Sequence, residues 1–394
     1  MGILRSLVLL ASVLSPFVRA SLVIRGNVCT VVPEPDGGDD APSIITAFAQ
    51  CATDAIVAFQ NTTYHIESVM ATHGLRNVTV DLRGTLLWGT DIAYWRNNSL
   101  ALGYQNQSVA WDFGGEDVTF VGHGFGTFDG NGQLWYDFTK GVSNLPGRPI
   151  NFVLRNSTDF VMRGVRFVQS QFWTMAVFNA SRVLMEDIFI SSTSNSSQPA
   201  RNTDGLDTFY TDNITLRNWT VHNGDDAVAP KANTSNMLLQ DATFVGSVGF
   251  AIGSIGQYPG VYEFIENVTA ERVSCTKCHQ AAYVKTWTGK EVGVPPNGGG
   301  GGLGHARNIT FRDFVVANLT QQLASITQCT TFSGTAGDCN SSLFQLSDVA
   351  WINMTGTVNT GNLAVLQCSG AAPCQGITIS DVGGVVMAGD VLCN

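Results

Sequence analysis

Four aspartates stand close together in a part of the chain that carries few other charges. Asp204 and Asp207 precede two short runs of apolar and β-branched residues, and Asp225 and Asp226 follow those runs. If the runs form strands that stack in register, the two acidic pairs meet at one place on the surface. Carboxyl groups gathered in this way can serve as general acid and general base. The alternative is that aspartates fill turns, because Asp-Gly and Gly-Asp are turn signals, and we expect this structural role for Asp207.

The elements that must position these aspartates resemble one another. Eight segments start with a polar residue and continue as an alternating strand; they begin at residues 117, 159, 182, 213, 236, 267, 308 and 348. From the second segment on, successive starts are 23, 31, 23, 31, 41 and 40 residues apart. Repeats of this length indicate a stacked architecture, and the shortest units leave no room for a crossover helix.

The repeats therefore predict an all-β fold, a right-handed parallel β-helix in which each unit forms one coil. Each coil would bury its inward face against its neighbours, so that the core becomes a long stack of Val, Ile, Leu and Phe. A β-propeller is the alternative, although its blades need four strands and a more regular spacing.

One short helix is predicted before the strands begin. Asp40 can cap it and Pro42 suits its first turn, and the apolar residues of the segment SIITAFAQC recur on one face. We expect this helix, which lies between Cys29 and Cys51, to cover the open end of the β-helix and protect its sheet edge. A disulfide between the two cysteines would hold it in place. No other substantial helix is predicted.

The chain begins with the features of a secretory signal peptide. Arg5 is followed by an apolar run and then by the small-residue exit Val18-Arg19-Ala20, which predicts cleavage after Ala20 and leaves residues 21–394 as a single domain. The leader is too short to span a bilayer, and no later run is long and apolar enough to do so. We therefore expect a secreted, extracellular protein that does not bind membranes.

Nine cysteines and fifteen Asn-x-Ser/Thr sequons agree with secretion. Three further cysteine pairs lie close in sequence and suggest disulfides without fixing their connectivity; they are Cys275 with Cys278, Cys329 with Cys339, and Cys368 with Cys374. A metal or redox motif at Cys275 is disfavoured, because no second ligand pair follows at a suitable spacing. The sequons are candidate glycosylation sites, although some follow simply from strands rich in Asn and Thr.

The charge pattern argues against nucleic acid as a partner. The formal charge is −10, only 13% of the residues are charged, and the sequence shows no basic stripe. An acidic protein can still act on an anionic polymer if a few cations line its site.

Several ordered motifs resemble those of the family 28 glycoside hydrolases, the polygalacturonase-like pectinases. Asn202-Thr203-Asp204-Gly205 matches the Asn-Thr-Asp-Gly motif of the family, and Gly224-Asp225-Asp226 matches its Gly-Asp-Asp motif. The later matches are the glycine-rich segment at 246–258 and the basic strand AYVKTW at 282–287; the earlier ones are DDAPSIITAF, DGNGQLWY and SQFWTM. The likeness covers nearly the whole chain after the leader.

The resemblance implies hydrolysis with inversion by paired carboxyl groups. In the family one carboxylic acid protonates the leaving oxygen, and carboxylates opposite it activate a water. By this likeness Asp225 is the acid, and Asp204 and Asp226 hold the water. An inverting pair leaves about 6.5–9.5 Å between carboxyl groups for that water. Asp225 and Asp226 can both face the site only if Gly224 allows a bend or bulge. Neither a metal nor another cofactor is implied.

Two departures from the family pattern concern the choice of substrate. Val248 stands where most polygalacturonases carry the His of Gly-His-Gly, and Tyr283 stands where they carry the Arg of Arg-Ile-Lys. Because the His tunes the acid and the Arg binds a substrate carboxylate, ordinary endo-cleavage is not expected. The residues around both positions instead resemble the exo-acting branch. We expect Asn202, Lys231, Tyr283 and Lys285 to bind substrate, with the Lys285 ammonium facing a galacturonate carboxylate.

The main prediction is a secreted, monomeric exo-pectinase similar to galacturan 1,4-α-galacturonidases, which hydrolyses the terminal 1,4-α-galacturonosyl bond of polygalacturonate or oligogalacturonates. One alternative is an exo-hydrolase of rhamnogalacturonan that removes a terminal rhamnose or galacturonate. Another is a catalytically silent β-helix that binds cell-wall polysaccharide. A Ca²⁺-dependent lyase, as in the pectate lyases that share this architecture, is a third, but the two aspartate motifs favour hydrolysis without a metal.

Two further features allow more than one interpretation. Trp135, Trp173 and Trp287 can stack on sugar rings or fill the core. The glycine-rich segment 295–302 is either a lid over the substrate or a tolerated insertion.

Overall fold

The computed structural model describes residues 22–292, 299–331, 337–359, 362–386 and 390–393. The predicted signal peptide and residues 295–298 of the predicted lid lie outside the described residues. Strands dominate, as the alternating patterns predict. They are β1 (Leu22–Arg25), β2 (Val28–Val31), β3 (Thr53–Phe59), β4 (Thr63–Ile66), β5 (Met70–Leu82), β6 (Thr85–Trp88), β7 (Leu100–Ala101), β8 (Ser108–Val121), β9 (Thr127–Asp129), β10 (Pro149–Arg155), β11 (Thr158–Arg163), β12 (Arg166–Val168), β13 (Met175–Ser191), β14 (Leu206–His222), β15 (Asp226–Pro230), β16 (Thr234–Val245), β17 (Gly249–Ile255), β18 (Tyr262–Thr276), β19 (Ala282–Trp287), β20 (Leu303–Leu319), β21 (Ala324–Thr330), β22 (Leu343–Val358), β23 (Asn362–Gln367), β24 (Gln375–Ser380), β25 (Gly384–Val386) and β26 (Asp390–Cys393).

The strands stack as the coils of a parallel β-helix. Neighbouring strands in the described chain run parallel, except that β1 pairs with β2 and β7 with β8 in the antiparallel sense. On one face of the helix the strands follow in the order β8, β10, β13, β14, β15, β17, β19, β21 and β23. The predicted fold is confirmed, and the propeller is wrong, because its strands would form separate blades around a channel.

Alternate side chains of each strand point into the coils and build one continuous apolar core. On β14, for example, Ile214, Leu216 and Val221 are fully buried. Towards the N-terminal end, aromatic rings fill the core, and the ring of Phe152 lies 5.5 Å from that of Trp111 between centroids. Burial of this apolar surface, at about 25 cal/mol per Å², is the main source of stability.

The polar residue that opens each sequence repeat forms a bend in the coil. Asn236, Asn267 and Asn308 have φ angles of 54°, 56° and 54°, the left-handed region that Asn adopts more readily than most residues. Their side chains form a ladder along the surface. The amide of Asn308 donates to Asn267 at 2.7 Å, that of Asn267 to Asn236 at 2.9 Å, and that of Asn236 to Asp212 at 2.6 Å. The sequons at Asn267 and Asn308 therefore also have a structural role.

The predicted helix covers the N-terminal end of the core. It is α1 (Ala41–Gln50), and the ring of Phe48 packs at 5.6 Å from that of Phe113. The predicted disulfide between Cys29 and Cys51 is present. Together the helix and the disulfide close the end of the stack, as expected.

Asp40 occupies the predicted N-cap position, where its backbone carbonyl oxygen accepts the N–H of Ile44 at 3.0 Å, but its side chain does not cap the helix. Its carboxylate instead accepts the N–H groups of Glu34 at 2.6 Å and His65 at 2.7 Å, so that it joins two neighbouring loops. The preceding Asp39 accepts the N–H of Ala41 at 3.0 Å and satisfies the start of the helix. The side chain that contacts the helix start is therefore that of Asp39, because the Asp40 carboxylate is engaged in tertiary contacts.

The expectation of a single substantial helix is also wrong. α2 (Ile92–Asn98) and α3 (Gly132–Thr139) are inserted between strands. Trp135 on α3 is buried in the core, so it fills space and does not stack on sugar. No helix of the described chain has the length and apolar character needed to cross a membrane.

Each of the three further cysteine pairs forms a disulfide, Cys275 with Cys278, Cys329 with Cys339, and Cys368 with Cys374. A disulfide at Cys275 and Cys278 agrees with the rejection of a metal site there. These bonds agree with folding in an oxidising compartment.

We predict that two replacements of Asn236, which lies outside any sequon, separate the cost of its positive φ from the contribution of its ladder hydrogen bonds. Asn236→Ala removes the ladder bonds and also strains the left-handed backbone, so it should lower the free energy of unfolding by about 2–3 kcal/mol. Asn236→Gly tolerates the positive φ and should lose only about 1 kcal/mol. Urea unfolding of the two variants measures the difference. Equal losses would show that the left-handed bend has no energetic role at this position.

Candidate active site

The three aspartates of the two family-like motifs come together on the face formed by β14 and β15. Asp204 lies in the turn before β14. Asp225 directly precedes β15 and Asp226 is its first residue, and β15 pairs with the first residues of β14. One carboxylate oxygen from each of the three lies within 4.8 Å of the other two. The predicted meeting of the acidic pairs is thus present, because one coil brings Asp226 beside Asp204. These nearest oxygens are closer than the about 6.5–9.5 Å between carboxyl groups of inverting enzymes, so inversion stays a prediction.

Gly224 is needed for this arrangement because two coils approach closely there. A Cβ at this position would lie 2.2 Å from the carbonyl oxygen of Ala200, so a larger residue would push the neighbouring coil away. The register between β15 and β17 then shifts after Asp226, which is a bulge. The predicted bend is present.

Asn202 orients the carboxylate of Asp225. Its backbone N–H and its side-chain amide donate to the same oxygen, Oδ2, at 3.1 and 3.3 Å. The other carboxylate oxygen accepts the N–H of Asp226 at 3.0 Å. The side-chain oxygen of Asn202, Oδ1, in turn accepts the backbone N–H of Asn144 at 3.0 Å. Asn202 lines the pocket, as a predicted substrate-binding residue should, but its own bonds hold Asp225 in position.

Two further predicted binding residues hold Asp226. The Lys285 ammonium lies 2.7 Å from Oδ2 of Asp226, and the Tyr283 hydroxyl donates to Oδ1. Val248, at the usual His position, packs its side chain against a small apolar cluster that contains Tyr283. Its N–H donates to the carbonyl oxygen of Asp225 at 2.8 Å. The two departures from the family pattern are therefore neighbours in space, one apolar and one a hydrogen-bond donor to a site carboxylate.

Lys231 and Asp207 form a second buried ion pair beside the cluster. The ammonium lies 3.1 Å from the Asp207 carboxylate, and neither side chain is more than 5% exposed. The ammonium also donates to the carbonyl oxygen of Gly253 at 3.2 Å and lies 5.6 Å from the ring centroid of Trp173. Asp207 stands on β14, so the turn predicted for it is wrong. The turn indicated by Asp204-Gly205 ends before Asp207.

Burial dominates the electrostatics of the carboxyl groups. It raises the pKa of Asp204 well above its usual value, and the charges of Asp225, Asp207 and Asp226 raise it further. Burial and the Asp226 charge raise the pKa of Asp225, and burial raises that of Asp207 to about 6. Burial works to lower the pKa of Lys285, but Asp226, Tyr283 and Asp225 outweigh it and raise that pKa well above its usual value. Carboxyl groups this close together titrate as a set, and the raised pKa values favour a proton held within the cluster.

The aspartates line a pocket of about 120 Å³. The predicted Lys231, Lys285 and Asn202 line it too, together with two of the candidate stacking residues, Trp173 and Trp287. Five polar side chains that complete the wall were not predicted, because they come from segments far apart in the chain; they are Gln105, Gln107, Asn144, Ser254 and Gln257.

Two loops join over the face of the helix and close one side of the pocket. We name them the Tyr104 bridge: residues 102–107 and residues 257–263. The Tyr104 hydroxyl donates to Glu263 at 2.8 Å, and the Gln105 side chain donates to Gln257 at 2.6 Å. The Tyr104 ring lies 4.7 Å from that of Phe209 on β14. The loops emerge beside β8 and β17, which are separated by β10, β13, β14 and β15, so the bridge spans several coils.

The acidic cluster is compact enough for a small divalent cation, since its three carboxylate oxygens lie within 4.8 Å of one another. However, Lys285 and Tyr283 already bind both oxygens of Asp226. The arrangement fits a cluster whose charge is balanced by groups of the protein itself.

Comparisons with known proteins identify the family of this chain. The model of the Glycosyl hydrolases family 28 matches residues 59–390. Alpha-L-rhamnosidase rgxB of Aspergillus niger is 44% identical over 397 residues, which cover 98% of this chain and 92% of that protein. The exopolygalacturonase of Cochliobolus carbonum is 33% identical, over 91% of this chain and 81% of its own. The endo-xylogalacturonan hydrolase structure from Aspergillus tubingensis shares the fold, with a TM-score of 0.78 at 24% identity over 93% of this chain and 95% of that one. This chain therefore belongs to glycosyl hydrolase family 28.

Proposed function

We propose that this protein is a secreted, exo-acting hydrolase that removes a terminal α-L-rhamnose from rhamnogalacturonan-type pectin. The observation that carries the proposal is that both lysines lining the pocket are bound to carboxylates of the protein, Lys231 to Asp207 and Lys285 to Asp226. Among the described residues that line the pocket, no cation is left over for a substrate carboxylate. The 44% identity to alpha-L-rhamnosidase rgxB supports the same substrate.

A galacturonate in the pocket would be electrostatically unfavourable. Its carboxylate would enter beside Asp204, Asp225 and Asp226 and would lose water without gaining a free cation. Terminal rhamnose is neutral and carries a methyl group together with hydroxyls. The rings of Trp173 and Trp287 offer apolar surface to the sugar, and the amides on the pocket wall can bond its hydroxyls.

The Tyr104 bridge supports exo-action. An endo-acting enzyme must leave its groove open on both sides of the cleavage point so that a chain can pass through. Here the bridge closes one side, and the pocket volume of about 120 Å³ is small beside the about 300–1,000 Å³ of typical ligand pockets. A single terminal sugar fits this arrangement better than an internal segment of polymer.

The roles of the three aspartates follow from their partners. Asp225 is the general acid by its match to the acid of the Gly-Asp-Asp motif, and Asn202 holds its carboxyl group, which lines the pocket. Asp226 and Asp204 bind and activate the attacking water. Lys285 and Tyr283 donate to both oxygens of Asp226 and hold its carboxyl group in position. Lys285 thus assists catalysis through Asp226, in place of the direct carboxylate binding expected from the sequence.

A second candidate, an exo-hydrolase acting on terminal galacturonate, is favoured by one observation. The Lys285 side chain is 21% exposed in the pocket, so its ammonium could exchange Asp226 for a substrate carboxylate. The 33% identical exopolygalacturonase points the same way.

Matched oligosaccharides that differ only in the terminal sugar test the proposal. We expect release of rhamnose from a rhamnose-terminated oligosaccharide, unaffected by EDTA and without absorbance from an unsaturated product. Release of galacturonate alone would establish the second candidate, and an EDTA-sensitive unsaturated product would identify a lyase. Binding without turnover of either substrate would indicate a silent polysaccharide-binding protein.

Asp225→Asn should abolish turnover, with a loss of at least about 10²-fold in kcat, because the amide cannot deliver a proton. Stability should behave differently. The folded-state pKa of Asp225 is raised, so this carboxyl group contributes stability below its unfolded pKa and that contribution is lost as pH rises through the folded pKa. The variant should therefore match the wild-type Tm near pH 4 and equal or exceed it at pH 7. A near-normal rate would reassign the acid.

Lys285→Met should weaken kcat/KM by a similar factor for rhamnose-terminated and galacturonate-terminated substrates, by about 10²-fold, because it leaves the buried Asp226 carboxylate without its cation. Lys290→Met is the matched control, since Lys290 pairs with Asp338 at an exposed position. A loss confined to the galacturonate substrate would show that Lys285 binds a substrate carboxylate directly.

A further inference from the structure

Arg148 is a buried cation behind the acidic cluster, and the steps above leave it without a role. It lies just before β10, is 1% exposed, and its two terminal nitrogens have no hydrogen-bond partner in the described part of the chain. Its Nε donates to the carbonyl oxygen of Gln171, and its guanidinium lies 5.2 Å from the ring centroid of Phe172. Leaving a buried guanidinium without partners for its terminal N–H groups is strongly unfavourable. The structure therefore implies partners other than the described protein atoms.

Other buried polar atoms, on the coil of Arg148 and on neighbouring coils, also have no partner within the described chain. They belong to the side chains of Asn151, Ser170, Gln171, Thr174 and Asp204. Backbone hydrogen bonds place these residues on adjacent coils. The N–H of Asn151 donates to the carbonyl oxygen of Trp173 at 3.1 Å, and the N–H of Thr174 to that of Asp204 at 2.7 Å. Folded proteins rarely leave several neighbouring buried polar atoms unsatisfied, and internal water is their usual partner.

The charge of Arg148 acts on the carboxyl groups of the site. Burial lowers the pKa of Arg148 to about 10, and Tyr136, Asp204 and Asp225 oppose that effect. Arg148 is therefore charged at neutral pH. The further charged groups that face the two aspartates are Asp207, Asp226, Lys231 and Lys285.

We propose that Arg148 is a positioning residue that acts through internal water molecules bound among Asn151, Gln171 and Thr174. These waters link its guanidinium to the unpartnered oxygen of Asp204, so that the carboxyl group is oriented and more easily ionised. The link is independent of which terminal sugar the enzyme removes.

Arg148→Met tests the charge, with Arg155→Met as the matched control. Arg155 stands on β10, lies 4.8 Å from the ring centroid of Phe178 and pairs with Asp112 at 2.7 Å, so it resembles Arg148 in stacking but has its own carboxylate. Removing Arg148 should move the acidic limb of the kcat/KM profile up by about 1 pH unit. The control should leave the limb in place.

The free energy of unfolding of Arg148→Met, measured as a function of pH, tests the proposal without a substrate. The Arg148→Met penalty should grow between pH 4 and pH 8, because the attraction to Asp204 exists only when that carboxyl group is ionised. A penalty that is the same at both pH values, with an unshifted kcat/KM profile, would show that Arg148 only fills space and would overturn the proposal.

Thr174→Val tests the water link and decides the question if Arg148→Met does not fold. It removes one hydroxyl at nearly constant volume. We expect kcat to fall about fivefold, equivalent to one lost hydrogen bond, with KM unchanged and the acidic limb shifted in the same direction. A Thr174→Val enzyme with wild-type kcat and pH profile would overturn the proposal.

Discussion

The ion pair between Lys285 and Asp226 lies at the centre of a buried charge balance on which the site depends. Four carboxyl groups, those of Asp204, Asp207, Asp225 and Asp226, lie in or directly behind the pocket wall, together with the cations of Lys231, Lys285 and Arg148. Each carboxylate would cost several kcal/mol if it were buried without a partner. With four acids and three cations, one proton among the carboxyl groups neutralises the set, and a general acid needs such a proton.

The same balance accounts for the two departures from the family pattern. A Tyr at position 283 donates a hydrogen bond to Asp226 without adding a charge, and Val248 packs beside it. An Arg at position 283 would add a further cation to a set that is already balanced, and it would favour an anionic sugar. The replacements thus agree with a pocket that selects a neutral terminal sugar.

Local and periodic signals in the sequence predicted the fold and the acidic cluster. The polar residue that opens each repeat was visible because the coil needs a left-handed bend at Asn236, Asn267 and Asn308. The cluster of Asp204, Asp225 and Asp226 could be predicted because Asp204 and the Asp225-Asp226 pair are one coil apart in the sequence. The sequence did not reveal that Asp39, and not the N-cap residue Asp40, supplies the side-chain hydrogen bond at the helix start, nor that Asp207 lies on a strand, because tertiary contacts decide both.

The closed side of the pocket was beyond sequence reasoning for a different reason. Tyr104 and Glu263 are 159 residues apart, and nothing in either loop indicates that they meet. Arg148 likewise belongs to no motif. Its proposed role depends on buried polar atoms of adjacent coils that have no hydrogen-bond partner among the described residues. Contacts between distant loops and shared internal water depend on how the coils stack, and they produce no repeating pattern in the sequence.

A crystal structure of the Asp225→Asn variant with bound oligosaccharide tests most directly the claim that the pocket lysines serve the protein's own carboxylates. Crystals should be soaked separately with rhamnose-terminated and galacturonate-terminated oligosaccharides. We expect rhamnose in the pocket, with the Lys285 ammonium still on Asp226 and the Lys231 ammonium still on Asp207. A terminal galacturonate whose carboxylate binds Lys285, with the bond to Asp226 broken, would contradict the account.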